Sequence, residues 1–90
     1  MDWRAFPGGD LVAEGLTDLA AGRETVPAAL VSVGAPRLKA LGIDLTRPLI
    51  DPEHRLYEML AAEGTDTAHG RYGALIRRLV SFERAVACAG

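Results

Sequence analysis

Among its 90 residues the sequence has a single cysteine, Cys88, and therefore cannot form an internal disulfide. Disulfides persist mainly in oxidising compartments, so their absence predicts a cytoplasmic protein. No apolar run reaches the roughly 18 residues that a transmembrane helix requires, and we expect no membrane span. The segment MDWRAFPGGD has an acid at its second position and lacks a long apolar stretch, which does not fit a secretory signal.

A basic excess and the patterns of known catalytic sites are also missing. The formal net charge is −2, whereas dedicated nucleic-acid-binding proteins usually show a marked basic excess. His54, His69 and the lone cysteine do not complete a zinc-binding set. Gly8-Gly9 lacks the following Gly and Lys of a P-loop, and no serine has a base at a predictable spacing. We therefore predict no enzymatic activity, no metal and no cofactor, and no small-molecule substrate is evident.

The apolar content of the chain is high and follows helical patterns. Hydrophobic residues make up 49% of the sequence and aromatic residues only 6%, so small aliphatic side chains must fill the core. This length predicts one domain over residues 1–90. Its predicted parts are an N-terminal arm over residues 1–9, a helical body, and an extended connector over residues 43–51. The predicted fold class is all-α, a four- to five-helix bundle closed by an antiparallel helical hairpin.

Capping residues and glycines delimit the helices that precede the last one. We expect helices over 10–21, 26–33, 37–41 and 53–63, with Asp10, Thr25 and Asp51 as caps. The connector contains Pro48 and lacks helical spacing. Its apolar residues are expected to contact the bundle, and these are Ile43, Leu45, Leu49 and Ile50.

The stretch from 66 to 88 predicts one long amphipathic helix. At about 100° per residue one face collects seven apolar side chains: Ala68, Tyr72, Leu75, Ile76, Leu79, Phe82 and Val86. Thr65 or Asp66 can cap its start. Gly70 and Gly73 lie on the side away from Tyr72. We expect them to admit another backbone closely, and the alternative is that they soften the first turns.

The polar side of the last helix is basic. It carries four arginines, which are Arg71, Arg77, Arg78 and Arg84, while the whole stretch contains only two acids. These arginines either pair with acids elsewhere in the fold or form a docking surface for an acidic partner or for phosphate groups. They are our predicted partner-binding residues, together with Glu83 and Trp3.

Glu83 and Trp3 are included for different reasons. Glu83 projects toward the apolar face, where a carboxylate is costly unless it is paired. We expect Arg37, Arg55 or an arginine of a second copy to pair with it and keep it ionised. Trp3, in the arm, either packs on the core or serves as an aromatic anchor for a partner.

The predicted function is a small non-enzymatic helical module for protein–protein interaction, or an accessory subunit. Small acidic bacterial antitoxins have a similar size and charge, and the comparison with them rests on these two properties alone. We expect a homodimer through the last helix or a larger protein partner. The first alternative is DNA binding through residues 26–43, whose outline is that of a helix-turn-helix. Only Arg37 and Lys39 of that segment could touch DNA.

The second alternative is a small helical ribonuclease. Arg47 lies seven positions before His54, and this pair resembles the Arg…His pair of helical HEPN-type ribonucleases. The resemblance implies that the arginine stabilises a phosphorane while the histidine transfers a proton. The sequence departs from that family at Pro48, where a polar residue usually follows the arginine, and by placing the arginine in the connector.

Overall fold

The computed structural model describes residues 2–89, so Met1, in the predicted arm, and Gly90 lie outside it. The described residues form one short 3-10 helix, Trp3–Ala5, and five α-helices, with no strand. The α-helices are α1 (Gly9–Ala20), α2 (Val26–Val33), α3 (Ala35–Ala40), α4 (Pro52–Glu63) and α5 (Thr65–Ala89). The all-α prediction is confirmed, and each predicted helix is present.

The core lies where α1, α2, α4 and α5 meet. Helix α1 packs on α2, α2 packs on α4, and α4 packs on α5, which follows it after a single residue, Gly64. The largest fully buried side chains are Phe82, Leu30, Leu38, Leu56, Leu60, Val12 and Val31. Of the predicted α5 stripe, four residues are buried, and the other three, Tyr72, Leu75 and Ile76, are half-buried at its edge. The periodicity therefore identified the inner face of α5 correctly.

Gly15 permits the close crossing of α1 and α2. A Cβ atom at Gly15 would lie 2.4 Å from the backbone oxygen of Pro27 and 2.8 Å from Cγ1 of Val31. The prediction of close backbone packing at Gly70 and Gly73 was wrong. A Cβ atom at Gly70 would meet nothing within 4 Å, and one at Gly73 would meet only the flexible guanidinium of Arg77, at 3.4 Å. Both glycines lie on the side of α5 that faces away from the core.

The caps agree only in part with prediction. Thr25 is confirmed, because its Oγ1 accepts a hydrogen bond from the Ala28 N–H at 3.2 Å. Asp10 does not cap α1, since the N-cap is Gly8, with φ 73°, and Asp10 lies inside the helix. Asp51 occupies the N-cap position of α4 without a capping hydrogen bond from its side chain. Residues 65 and 66 lie inside the first turn of α5, which starts directly after Gly64.

The connector covers one end of the bundle without regular secondary structure. Ile43 is buried, and Leu45 and Leu49 are half-buried, as expected. The expectation for Ile50 was wrong, because its side chain is 90% exposed. The neighbouring residue, Leu49, takes the inward position instead. Its backbone N–H donates a hydrogen bond to the Oγ of buried Ser32 at 2.9 Å, and Ile50 is left pointing outward. Across residues 2–89, no helix combines the length and the apolar content needed to cross a membrane.

Candidate functional site

A groove of about 460 Å³ lies between α3 and the C-terminal half of α5. Its lining residues are Arg37, Ala40, Leu41, Val80, Glu83, Arg84 and Ala87. We call it the α3–α5 groove. It exists because α3 has only six residues and is anchored through one buried side chain, Leu38, so it leaves part of α5 uncovered.

Small apolar side chains form much of the lining of this groove. On α5 these are Val80 and Ala87, and on the other side they are Ala40 and Leu41. They alternate with charged groups that come from the same helices, because helical residues three and four apart share a face. The groove therefore offers apolar contact surface bordered by ionic groups, which is a common arrangement in protein-binding surfaces.

Glu83 is a buried carboxylate in the wall of this groove. Its side chain is 9% exposed, and Oε1 lies 3.6 Å from Nη1 of Arg37. The structure thus confirms Arg37 as a cation that pairs with Glu83. Oε2 has no hydrogen-bond partner among residues 2–89. It faces the corner between α2 and α3, since a Cβ atom at Gly34 would lie only 3.0 Å from it.

Burial governs the protonation of Glu83 more than its ion pair does. Loss of hydration raises the pKa of Glu83 above the ordinary glutamate value, and the Arg37 guanidinium offsets only part of that rise. That this pair keeps Glu83 ionised stays a prediction, since burial raises the pKa of Glu83 and the pair with Arg37 opposes that rise. The Arg37 side chain is 74% exposed, so water screens the contact and weakens its effect. A buried group satisfied this poorly costs stability, and such costs concentrate at functional sites.

The two arginines that border the groove are largely available to a partner. Arg84 is exposed and forms no ion pair within residues 2–89. Within residues 2–89, the only ion pair of Arg37 is its long contact with Glu83. A guanidinium group binds carboxylates through two parallel hydrogen bonds, so this border favours an acidic ligand.

The other predicted arginines of α5 lie elsewhere. Arg71 pairs with Glu63 and Arg78 with Asp10, each at 3.0 Å, as expected if the arginines serve the fold. Arg71 and Arg78 also border a second groove of about 400 Å³, which includes Leu75. Arg77 is exposed, without an ion pair in the described part of the chain. Glu83 and Arg84 therefore line the α3–α5 groove, and the other three arginines do not.

Trp3 packs on the core rather than standing free. Its ring is half-buried and meets Phe82 edge-on, with ring centroids 6.0 Å apart, and Phe6 meets the same ring at 6.1 Å. This arrangement accounts for both aromatic residues of the arm as structural anchors. The use of Trp3 by a partner stays a prediction.

The residues behind the two alternative functions have ordinary surroundings. Residues 26–43 contain α2 and α3, which are joined at Gly34. With six residues, α3 is short for a helix that reads the major groove of DNA. Nε2 of His54 lies 3.3 Å from Oε1 of Glu58, and Arg47 is exposed in the connector with φ 49°. Across residues 2–89, no group of three or more His, Cys, Asp or Glu side chains is placed to hold a metal ion.

The apolar half of the α3–α5 groove was not predicted from the sequence. The sequence does contain a pattern that marks it. A second strip of residues at helical spacing lies beside the main stripe, and it consists of Ile76, Val80, Glu83 and Ala87. Alanines carry little weight in such a pattern, and the contribution of Leu41 depends on how α3 packs.

The chain matches no protein-family model, no curated protein and no solved structure.

Proposed function

We propose that this protein is a non-enzymatic interaction module whose α3–α5 groove binds a segment of a protein partner. The segment would present an apolar side chain flanked by carboxylates. The observation that carries the proposal is the combination of an apolar lining with an exposed, unpaired Arg84 at its border, within residues 2–89. The apolar lining supplies contact area, and the arginines select the charge of the partner.

The shape of the groove favours a protein segment over a small molecule. It lies between two helices, and much of its lining is aliphatic, from Ala40, Leu41, Val80 and Ala87. Sites for small ligands enclose most of the ligand and converge several polar groups on it. A peptide segment or helix laid along α5 needs neither, since flanking contacts exclude water from the apolar centre.

Buried Glu83 supports the same proposal. Its Oε2, which has no hydrogen-bond partner within residues 2–89, lowers the stability of the fold and faces the corner between α2 and α3. A purely structural position would favour an apolar residue here. An accessory subunit in the cytoplasm, of the antitoxin-like kind, fits this proposal because it acts by burying a helix surface against a larger protein. The homodimer through the last helix is the other form of the same proposal.

The proposal is tested by blocking the groove without disturbing the core. Ala87→Glu places a carboxylate at an exposed groove position, where it obstructs apolar contact and repels an acidic segment. Ala62→Glu, at an exposed position of α4, is the matched control. Tagged wild type and both variants are used to purify bound proteins from the native cell. We expect the bound protein to be lost with Ala87→Glu and kept with Ala62→Glu, and equal recovery by all three would exclude the groove.

A further inference from the structure

Ile50 is the most exposed of the large apolar side chains in residues 2–89. It is 90% exposed, and the next, Tyr57, is 39% exposed and packs at a tilt against Tyr72, with ring centroids 5.9 Å apart. A single exposed isoleucine is common on protein surfaces and needs no explanation by itself. The setting of Ile50 is more specific, because its backbone and its neighbours are both distinctive.

The backbone is held by a hydrogen bond on each side of Ile50. Ser32 Oγ accepts the hydrogen bond of the Leu49 N–H on one side, and on the other the Arg55 N–H donates to the Asp51 carbonyl at 3.1 Å. Arg47 and Asp51 both have a positive φ, of 49° and 52°, which residues other than glycine rarely adopt. We call residues 47–52 the Ile50 corner. It holds Ile50 outward before any partner arrives, so little ordering is needed on binding.

The charges beside Ile50 complement those of the α3–α5 groove. Asp51 and Glu53 are exposed and form no ion pair within residues 2–89. Arg55, the nearest cation on α4, is already paired with Glu24. At the groove, the exposed charge that has no ion pair within residues 2–89 is positive, at Arg84. Arg47 is the exception, a cation at the far end of the corner.

We propose that a second copy of this chain fills the groove by inserting its Ile50 corner between α3 and α5. Ile50 would pack on the aliphatic lining, while Asp51 and Glu53 approach Arg84 and Arg37. This inference rests on the proposed function, since it names the occupant of the groove. The groove, at about 460 Å³, has room for an isoleucine side chain and part of its neighbours.

The contact joins two different surfaces, so each can be removed separately. Ile50→Asp removes the inserted side chain, and Thr46→Asp, at an exposed connector position, is its control. Ala87→Glu blocks the groove, with Ala62→Glu as its control. The four variants and the wild type are compared by sedimentation at micromolar concentrations, after thermal unfolding has shown that each is folded. We expect Ile50→Asp and Ala87→Glu to raise the dissociation constant roughly tenfold or more, as removal of a central contact does. The controls should behave as the wild type does.

Mixing the two disruptive variants gives the sharpest result. Ile50→Asp keeps an intact groove and Ala87→Glu keeps an intact Ile50 corner, so the mixture should form a heterodimer that neither variant forms as a homodimer. A charge exchange provides an independent check. Arg84→Glu and Glu53→Arg should each weaken association when introduced alone, and the two together should restore it.

The inference is overturned if the wild type stays monomeric, if Ile50→Asp associates like the wild type, or if the mixture stays monomeric. None of these results contradicts the proposed function if Ala87→Glu, but not its control Ala62→Glu, fails to bind the protein that the wild type binds in the native cell. If Ala87→Glu changes neither self-association nor that bound protein, both the inference and the proposed function are wrong.

Discussion

Replacing Glu83 by methionine should stabilise the fold. Methionine is close to glutamate in length and is flexible enough to fill the same space beside Leu79 and Gly34. The substitution removes Oε2, a buried acceptor that has no hydrogen-bond partner within residues 2–89, and such a group costs roughly 1–3 kcal/mol of stability. It also removes the long contact to the exposed Arg37, which contributes about 0–1 kcal/mol. The net effect is a gain in stability of about 1.5 kcal/mol, which corresponds to a rise in Tm of roughly 6–12 °C for a domain of this size.

The gain from Glu83→Met should depend on pH. Because burial raises the pKa of Glu83, the folded chain holds this proton more tightly than the unfolded chain does. The stability that Glu83 contributes is then complete below the ordinary glutamate value of 4.5 and is lost as pH rises through the folded-state pKa. Glu83→Met should therefore raise Tm more at mildly alkaline pH than below 4.5.

Thermal unfolding by circular dichroism at both pH values measures this effect. Glu14→Met is the control, since Glu14 is exposed on α1 without an ion pair in residues 2–89. Its effect should stay within about 0.5 kcal/mol at either pH. A fall in Tm for Glu83→Met on the alkaline side, or an equal effect at both pH values, would refute the dominance of burial. The fall would mean that the ion pair with Arg37 stabilises this corner, and the equal effect would mean that folding does not raise the pKa of Glu83.

Three further predictions concern the packing of the helices, and chemical or thermal denaturation measures each. Gly15→Ala should destabilise by roughly 1–3 kcal/mol through overpacking against α2, whereas Gly70→Ala should stabilise by about 0.5–1 kcal/mol; the same sign for both would contradict the packing described. Leu79→Ala should cost about 2–5 kcal/mol and Arg77→Ala under roughly 0.5 kcal/mol, and the reverse order would mean that the faces of α5 are misassigned. The pKa of Asp18 is lowered, mainly by its hydrogen bond from Thr25 and then by Arg23, so its stabilisation is present above 3.8 and lost as pH falls through the folded-state pKa. Asp18→Asn should therefore lower Tm at neutral pH, and a difference that does not shrink in acid would exclude this cause.

Local sequence was enough to predict the helices, because each carries its own signals. The α5 stripe repeats every three or four residues, and Thr25 and Pro27 mark the start of α2. Glycines were harder to interpret. Gly15 and Gly70 are both glycines inside a helix, and the local sequence does not distinguish them. A neighbouring helix packs against Gly15 and requires a glycine there, whereas none packs against Gly70.

The candidate site was only partly predictable for the same reason. Glu83 was predictable from its direction on α5, and Arg37 was one of three arginines expected to pair with it. The weakness of that pair depends on the solvent exposure of Arg37, which sequence does not contain. Isoleucine is usually a core residue, yet the hydrogen bond between Leu49 and Ser32 leaves Ile50 pointing outward.

The central claim is that the protein associates through the α3–α5 groove. Methyl chemical shifts in a concentration series test it most directly, because Leu41 and Val80 report on the groove, Ile50 on its proposed occupant, and Leu75 on the second groove. We predict that the signals of Leu41, Val80 and Ile50 move together as concentration rises, while that of Leu75 stays in place. Movement at Leu75 with fixed signals at Leu41 and Val80 would contradict the account and assign association to the side of α5 that carries Arg71 and Arg78.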